Sequence, residues 1–128
     1  AARRRQAIMA SGEQSHSDSL RARPLMDYHL CALLLDRNLT RFVSELPEHY
    51  VMDDKLPRHY REALAVYYNM QDTLALRTNE DTAMDSLFLE YRKLSLEHEA
   101  DPQLQRKACT RAYPHSYWNY YFYRHLDN

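Results

Sequence analysis

The stretch LPEHYVMDDKLPRHY, residues 46–60, carries the pattern Leu-Pro-x-His-Tyr twice, ten positions apart. Imidazole and carboxylate are zinc-binding groups, so His49 and His59 with Asp53 and Asp54 between them are candidate ligands, and Cys31 offers a thiolate. Neither Cys-x-x-Cys nor His-Glu-x-x-His occurs, so no single element preassembles a ligand set. His49 and His59 are therefore weak metal candidates, and no metal or other cofactor is assigned. The other reading is punctuation. Pro47 disfavours the α conformation of the residue before it and closes one helix, whereas Pro57 suits the first turn of the next. A ten-residue spacing is too short for a repeated structural unit, and the punctuation reading is preferred.

Acid–base or nucleophilic chemistry has no comparable marker. The carboxylates fall in Asp53-Asp54, Glu80-Asp81 and the pair Glu97 and Glu99, where helix capping and solvated turns account for them. No residue is assigned as catalytic. The chain holds one glycine, Gly12, which removes phosphate-cradling loops, dinucleotide fingerprints and nucleophile elbows, since each needs glycines at fixed positions.

The most unusual stretch is YPHSYWNYYFYRHL, residues 113–126, in which seven of fourteen residues are aromatic. On a helix one set, Tyr117, Tyr120 and Tyr121, can face the core, while Trp118, Phe122 and Leu126 form another stripe. Burial of both faces, with tyrosine hydroxyls reaching water, is one explanation. The other is a contact surface for a protein or peptide, since Tyr, Trp and Arg dominate binding hot spots. On that reading the partner-binding residues are Tyr117, Trp118, Tyr121, Phe122 and Arg124.

These residues need a scaffold, and the composition points to helices. At 128 residues, with 45% apolar and 27% charged, the chain can bury one ordinary core. Tight hairpins lean on Asn-Gly or Asp-Gly, and neither occurs. Seventeen basic residues against eighteen acidic give a net charge of −1, so no overall field draws nucleic acid, and no nucleic-acid partner is expected. Cys31 and Cys109 read as small buried apolar residues rather than a disulfide framework. The longest apolar run, Leu30–Leu35, is far short of a membrane span. The opening Ala-Ala-Arg-Arg-Arg suggests a piece of a longer protein.

Residues 1–19 read as a flexible polar tail and residues 20–128 as a single helical domain. From Pro24, the residues Met26, Leu30, Leu33 and Leu34 repeat at helical spacing. Asn38 caps a second helix with Leu39, Phe42, Val43 and Leu46 on its face. A third follows Pro57, with Tyr60, Ala63, Leu64 and Tyr67 buried and a surface pair between His59 and Glu62. Asp81 or Thr82 caps a fourth, with Met84, Leu87, Phe88, Tyr91 and Leu94 inward. Asp101-Pro102 opens a fifth through Leu104 and Ala108, Pro114 breaks the pattern, and Tyr117–Leu126 forms a sixth.

The expectation is an all-α fold of five to seven helices in antiparallel hairpins, arranged as a bundle or as a tetratricopeptide-like α-solenoid. The helix-pair lengths resemble those repeats, although their signature glycine is absent. The stretches LPRHYREALAVYY and YPHSYWNYYFYRHL are also similar to segments near the C-terminus of a group of Bacteroidetes proteins of unknown function. Those proteins resemble multi-pass membrane proteins with a soluble helical end, and the likeness spans about residues 25–126. The resemblance implies a helical domain of a bacterial protein tethered to a membrane outside this chain, with no activity attached. The leading function is protein–protein interaction or scaffolding. The alternative is a small-molecule or metal-binding domain around the His49–His59 loop.

Overall fold

The structure, a computed structural model, describes residues 12–53, 55–70 and 80–127, with side chains described from residue 24 to residue 126. The fold is all-α. Six α-helices and two short 3-10 turns account for the regular structure among the described residues. They fall into two compact units, one ending at Val51 and the other beginning at Met52.

In the first unit α1 spans Gly12–Leu35 and α2 spans Leu39–Glu45, followed by a 3-10 turn over Leu46–Glu48. The Arg3-Arg4-Arg5 run lies outside the described residues, and α1 crosses the boundary expected at residue 19. The helix also starts before Pro24 rather than at it. Residues 13–23 contain neither Gly nor Pro and are rich in Glu, Gln, Ser, Arg and Ala, so they support helix without an apolar stripe. Pro24 sits inside α1 and removes one i→i−4 hydrogen bond there.

The α1–α2 corner is closed by two backbone bonds, Asn38 N–H to Leu33 C=O at 2.9 Å and Arg37 N–H to Leu34 C=O at 3.0 Å. This is the Schellman pattern, and Arg37 takes its left-handed position with φ 59°. Glycine usually fills that position; here arginine does. Asn38 then caps α2, its side chain accepting from Arg41 N–H. Leu30, Leu33, Leu34, Leu39, Phe42 and Leu46 are buried. Polar ties close the unit. Glu45 accepts from Arg41 Nε at 2.6 Å and lies 2.7 Å from His29 Nε2, and Tyr50 donates to Asp27 at 2.6 Å. The Arg41 hydrogen bond, with His29 in support, holds the Glu45 carboxyl below its usual pKa.

In the second unit α3 spans Arg58–Asn69, α4 Thr82–Glu97, α5 Pro102–Ala112 and α6 Tyr117–Tyr123, with a 3-10 turn over Arg124–Asp127. Asp81 caps α4 through Met84 N–H and also takes a two-pronged bond from Arg61 of α3, at 2.6 and 2.8 Å. Asp101 caps α5 through Gln103 and Leu104 N–H, with Pro102 at the first helical position. Helix α4 packs against α3 on one side and α5 on the other, and α6 lies across α3 and α5. Between α5 and α6 the chain turns through Pro114 and His115, closed by Ser116 N–H to Tyr113 C=O. His115 has φ 67°, so it too stands in the left-handed region. The turn stops α5 and aims the aromatic segment back at the unit's core.

Candidate functional site

The aromatic segment is anchored by Glu62. This carboxylate lies in the middle of α3 with its side chain wholly buried. Oε1 accepts the backbone N–H of Tyr117 at 2.9 Å and lies 2.9 Å from His59 Nδ1; Oε2 accepts from Arg58 Nε at 3.1 Å. The Glu62 backbone carbonyl accepts the indole N–H of Trp118 at 2.9 Å. One residue thus seats the first turn of α6 twice, by charge against an N-terminal N–H and by main chain against the indole. The i,i+3 pair expected between His59 and Glu62 is present, but it is not a surface pair, because the carboxylate is core and only its partners reach water. The face that carries Glu62 also carries Ala65 and Val66, at i+3 and i+4, both buried. That second apolar row widens the buried arc of α3, and it was the available signal.

Around this anchor the rings form a continuous core. Trp118 has no exposed surface and packs edge-on to Phe88, tilted on Tyr91 and against Tyr113, at centroid distances of 5.3, 5.1 and 6.1 Å. Tyr91 donates to Asn119, whose amide donates in turn to the Tyr113 carbonyl. Deeper still, the Tyr123 hydroxyl lies 2.8 Å from Ser95 Oγ and 3.6 Å from Cys109 Sγ, and Gln105 donates to Ser95. Burial raises the phenol pKa of Tyr91, Tyr113 and Tyr123, that of Tyr123 to about 12. Ser95 and Cys109 both hydrogen-bond the Tyr123 hydroxyl, so these groups knit α4, α5 and α6 together.

The other side of α6 is different. Tyr117 is buried, Tyr120, Tyr121 and Phe122 are half-buried, and Arg124 is exposed. Their rings touch in sequence, Tyr120 on Tyr117 at 6.0 Å, Tyr117 to Tyr121 at 6.0 Å, Tyr121 edge-on to Phe122 at 5.0 Å. At one end the Arg124 guanidinium lies over Tyr120 at 5.6 Å, and at the other Arg92 of α4 lies over Phe122 at 5.5 Å. The expected contact residues therefore divide. Trp118 and Tyr117 support the helix from within, Phe122 stacks on the buried rings of Phe88 and Tyr91 at 6.3 and 6.1 Å, and Tyr121 and Arg124 reach the surface. Tyr120 and Arg92 belong to the same strip and were not on the expected list.

The remaining candidates stay dispersed. His59 is paired with Glu62, His49 is half-buried after the 3-10 turn, and Asp54 lies outside the described residues. Among the described residues no group of three or more His, Cys, Asp or Glu side chains is placed to hold a metal ion. Cys109 is buried, as expected, but Cys31 is exposed. Its neighbours Leu30, Leu33 and Leu34 take the buried arc of α1, and the 3.6-residue period turns position 31 outward. Among the described residues no helix is long and apolar enough to cross a membrane.

A family model described as a family of unknown function, DUF6057, matches residues 14–124. The chain belongs to that family. The match runs from α1 to the exposed Arg124, and so takes in both units and the aromatic strip. No curated protein and no solved structure matches the chain.

Proposed function

We propose that this is a protein-interaction domain without catalytic activity, and that its contact surface is the outer side of α6. The observation that carries the reading is the pair Tyr120 and Tyr121, half-exposed beside Arg124, while Glu62 and Trp118 hold the helix from below and Phe122 stacks on the core. Tyrosine side chains held this way offer contact area at little entropic cost on binding, and such residues concentrate binding energy. The helical hairpins fit a tetratricopeptide-like scaffold in the same proposal. The likeness of LPRHYREALAVYY and YPHSYWNYYFYRHL to Bacteroidetes sequences adds that this is the helical end of a longer, membrane-tethered bacterial protein.

The test is partner recovery by the immobilised domain, compared with Tyr121→Ala and with Leu104→Ala, a substitution at an exposed leucine on α5. Tyr121→Ala is expected to abolish recovery with helicity intact, and Leu104→Ala to leave it unchanged. Equal recovery by all three proteins would remove α6 as the contact surface.

A further inference from the structure

The aromatic strip ends on a guanidinium at both sides, and this arrangement says what kind of partner it takes. Arg124 covers Tyr120 and Arg92 covers Phe122, and among the described residues neither arginine has a carboxylate within ion-pair distance. Arg41, Arg58 and Arg61 each hold a carboxylate, on Glu45, Glu62 and Asp81 respectively. A guanidinium drawn over a ring face still has N–H donors that a carboxylate can meet. The stack also restricts the side chain's motion, so less freedom is lost when a carboxylate arrives.

Resting on the reading of α6 as the contact surface, we infer that the strip binds an acidic peptide segment of a partner protein, whose carboxylates engage Arg92 and Arg124 while an apolar side chain lies on Tyr121. Glu62 does not cancel this charge, because it is buried and answered by Arg58 and His59. A single-stranded nucleic acid fits less well. Base stacking needs open ring faces, but Tyr117 and Tyr120 stack on each other at 27°, and guanidinium groups cover Tyr120 and Phe122. Two arginines also make a short phosphate track.

The experiment selects binders from a display library of short random peptides on the intact chain. One selected peptide is then titrated by fluorescence anisotropy against the wild type, Arg92→Gln/Arg124→Gln and Tyr121→Ala, with unchanged Trp118 emission confirming each fold. Enrichment of Asp and Glu among selected peptides is expected, with affinity falling about tenfold or more in the double glutamine variant, the scale of two surface charge-assisted contacts. The affinity should also fall with added salt. Peptides without acidic enrichment, or a double glutamine variant that binds as tightly while Tyr121→Ala does not, would overturn the acidic partner and keep α6 as the surface. Selected peptides that bind Tyr121→Ala as well as wild type, or the absence of any selected peptide, would overturn both readings. A single-stranded oligonucleotide that binds more tightly than any peptide, and loses affinity in the same variants, would overturn the acidic partner in favour of nucleic acid.

Discussion

Replacing Glu62 measures how the second unit is held together. Glu62→Ala removes the acceptor of the Tyr117 N–H, which sits inside the unit, and an orphaned buried donor costs about 1–3 kcal/mol. It also removes one buried methylene, worth about 0.8 kcal/mol. Arg58 and His59 lose a partner too, but their side chains are 62% and 58% exposed, so water takes the place of the carboxylate and they add about nothing. The total comes to about 2–4 kcal/mol. Glu62→Gln keeps the side-chain length and one carbonyl for Tyr117, losing only the extra strength of a charged acceptor, about 1 kcal/mol. Urea unfolding followed by the emission of Trp118, the chain's single tryptophan, reads this unit directly because the indole bonds to the Glu62 carbonyl. The expected order of midpoints is wild type, then Gln, then Ala well below, with the denaturant slope unchanged. An alanine variant within about 1 kcal/mol of wild type would refute the reasoning, because the burial cost of the carboxylate would then match everything it holds. Equal losses for Gln and Ala would refute it differently, by showing that charge rather than the Tyr117 acceptor is what counts.

Two further outcomes follow from burial. Native protein treated with a thiol reagent should label at Cys31 alone, with Cys109 reacting only after denaturation, and fast labelling of both would contradict the packing of α5. Alkaline titration should show Tyr91, Tyr113 and Tyr123 still protonated above the ordinary phenol value of 10.0, read from tyrosinate absorbance. A phenol with a raised folded pKa contributes stability below the unfolded value of 10.0 that is lost as pH rises, so unfolding should grow easier above about pH 10. Stability that is flat through that range would argue against their burial.

What the sequence makes legible here is local. Asn38, Asp81 and Asp101 are helix caps whose signal lies within three residues of the N–H they accept, and all three are found in that role. The inward faces of α3 and α4 follow the same logic, with Tyr60, Ala63, Leu64, Met84, Phe88 and Tyr91 buried at helical spacing. The residues of α1 ahead of Pro24 carry no apolar stripe, so periodicity does not mark where that helix starts. Glu62 was misread because its partner is 55 residues away, and no periodicity reports a carboxylate that serves another helix. Cys31 was misread from residue-type habit, when its position between buried neighbours already turned it outward. The division of the aromatic segment into anchors and strip depended on which ring meets which helix, and the sequence of α6 alone holds no such information.

The 55 residues between Glu62 and Tyr117 have a consequence on the ribosome. At about 5–20 residues per second, α3 leaves the ribosome roughly 3–10 seconds before the indole and the N–H that complete it. Through that interval the inner face of α3 has no α6 to cover it, and the Glu62 carboxylate must stay hydrated. A nascent chain in this state exposes Ala63, Leu64 and Val66 to chaperones and proteases. Premature termination anywhere before Trp118 leaves it there permanently, so truncated products should be cleared rather than accumulate as smaller folded domains.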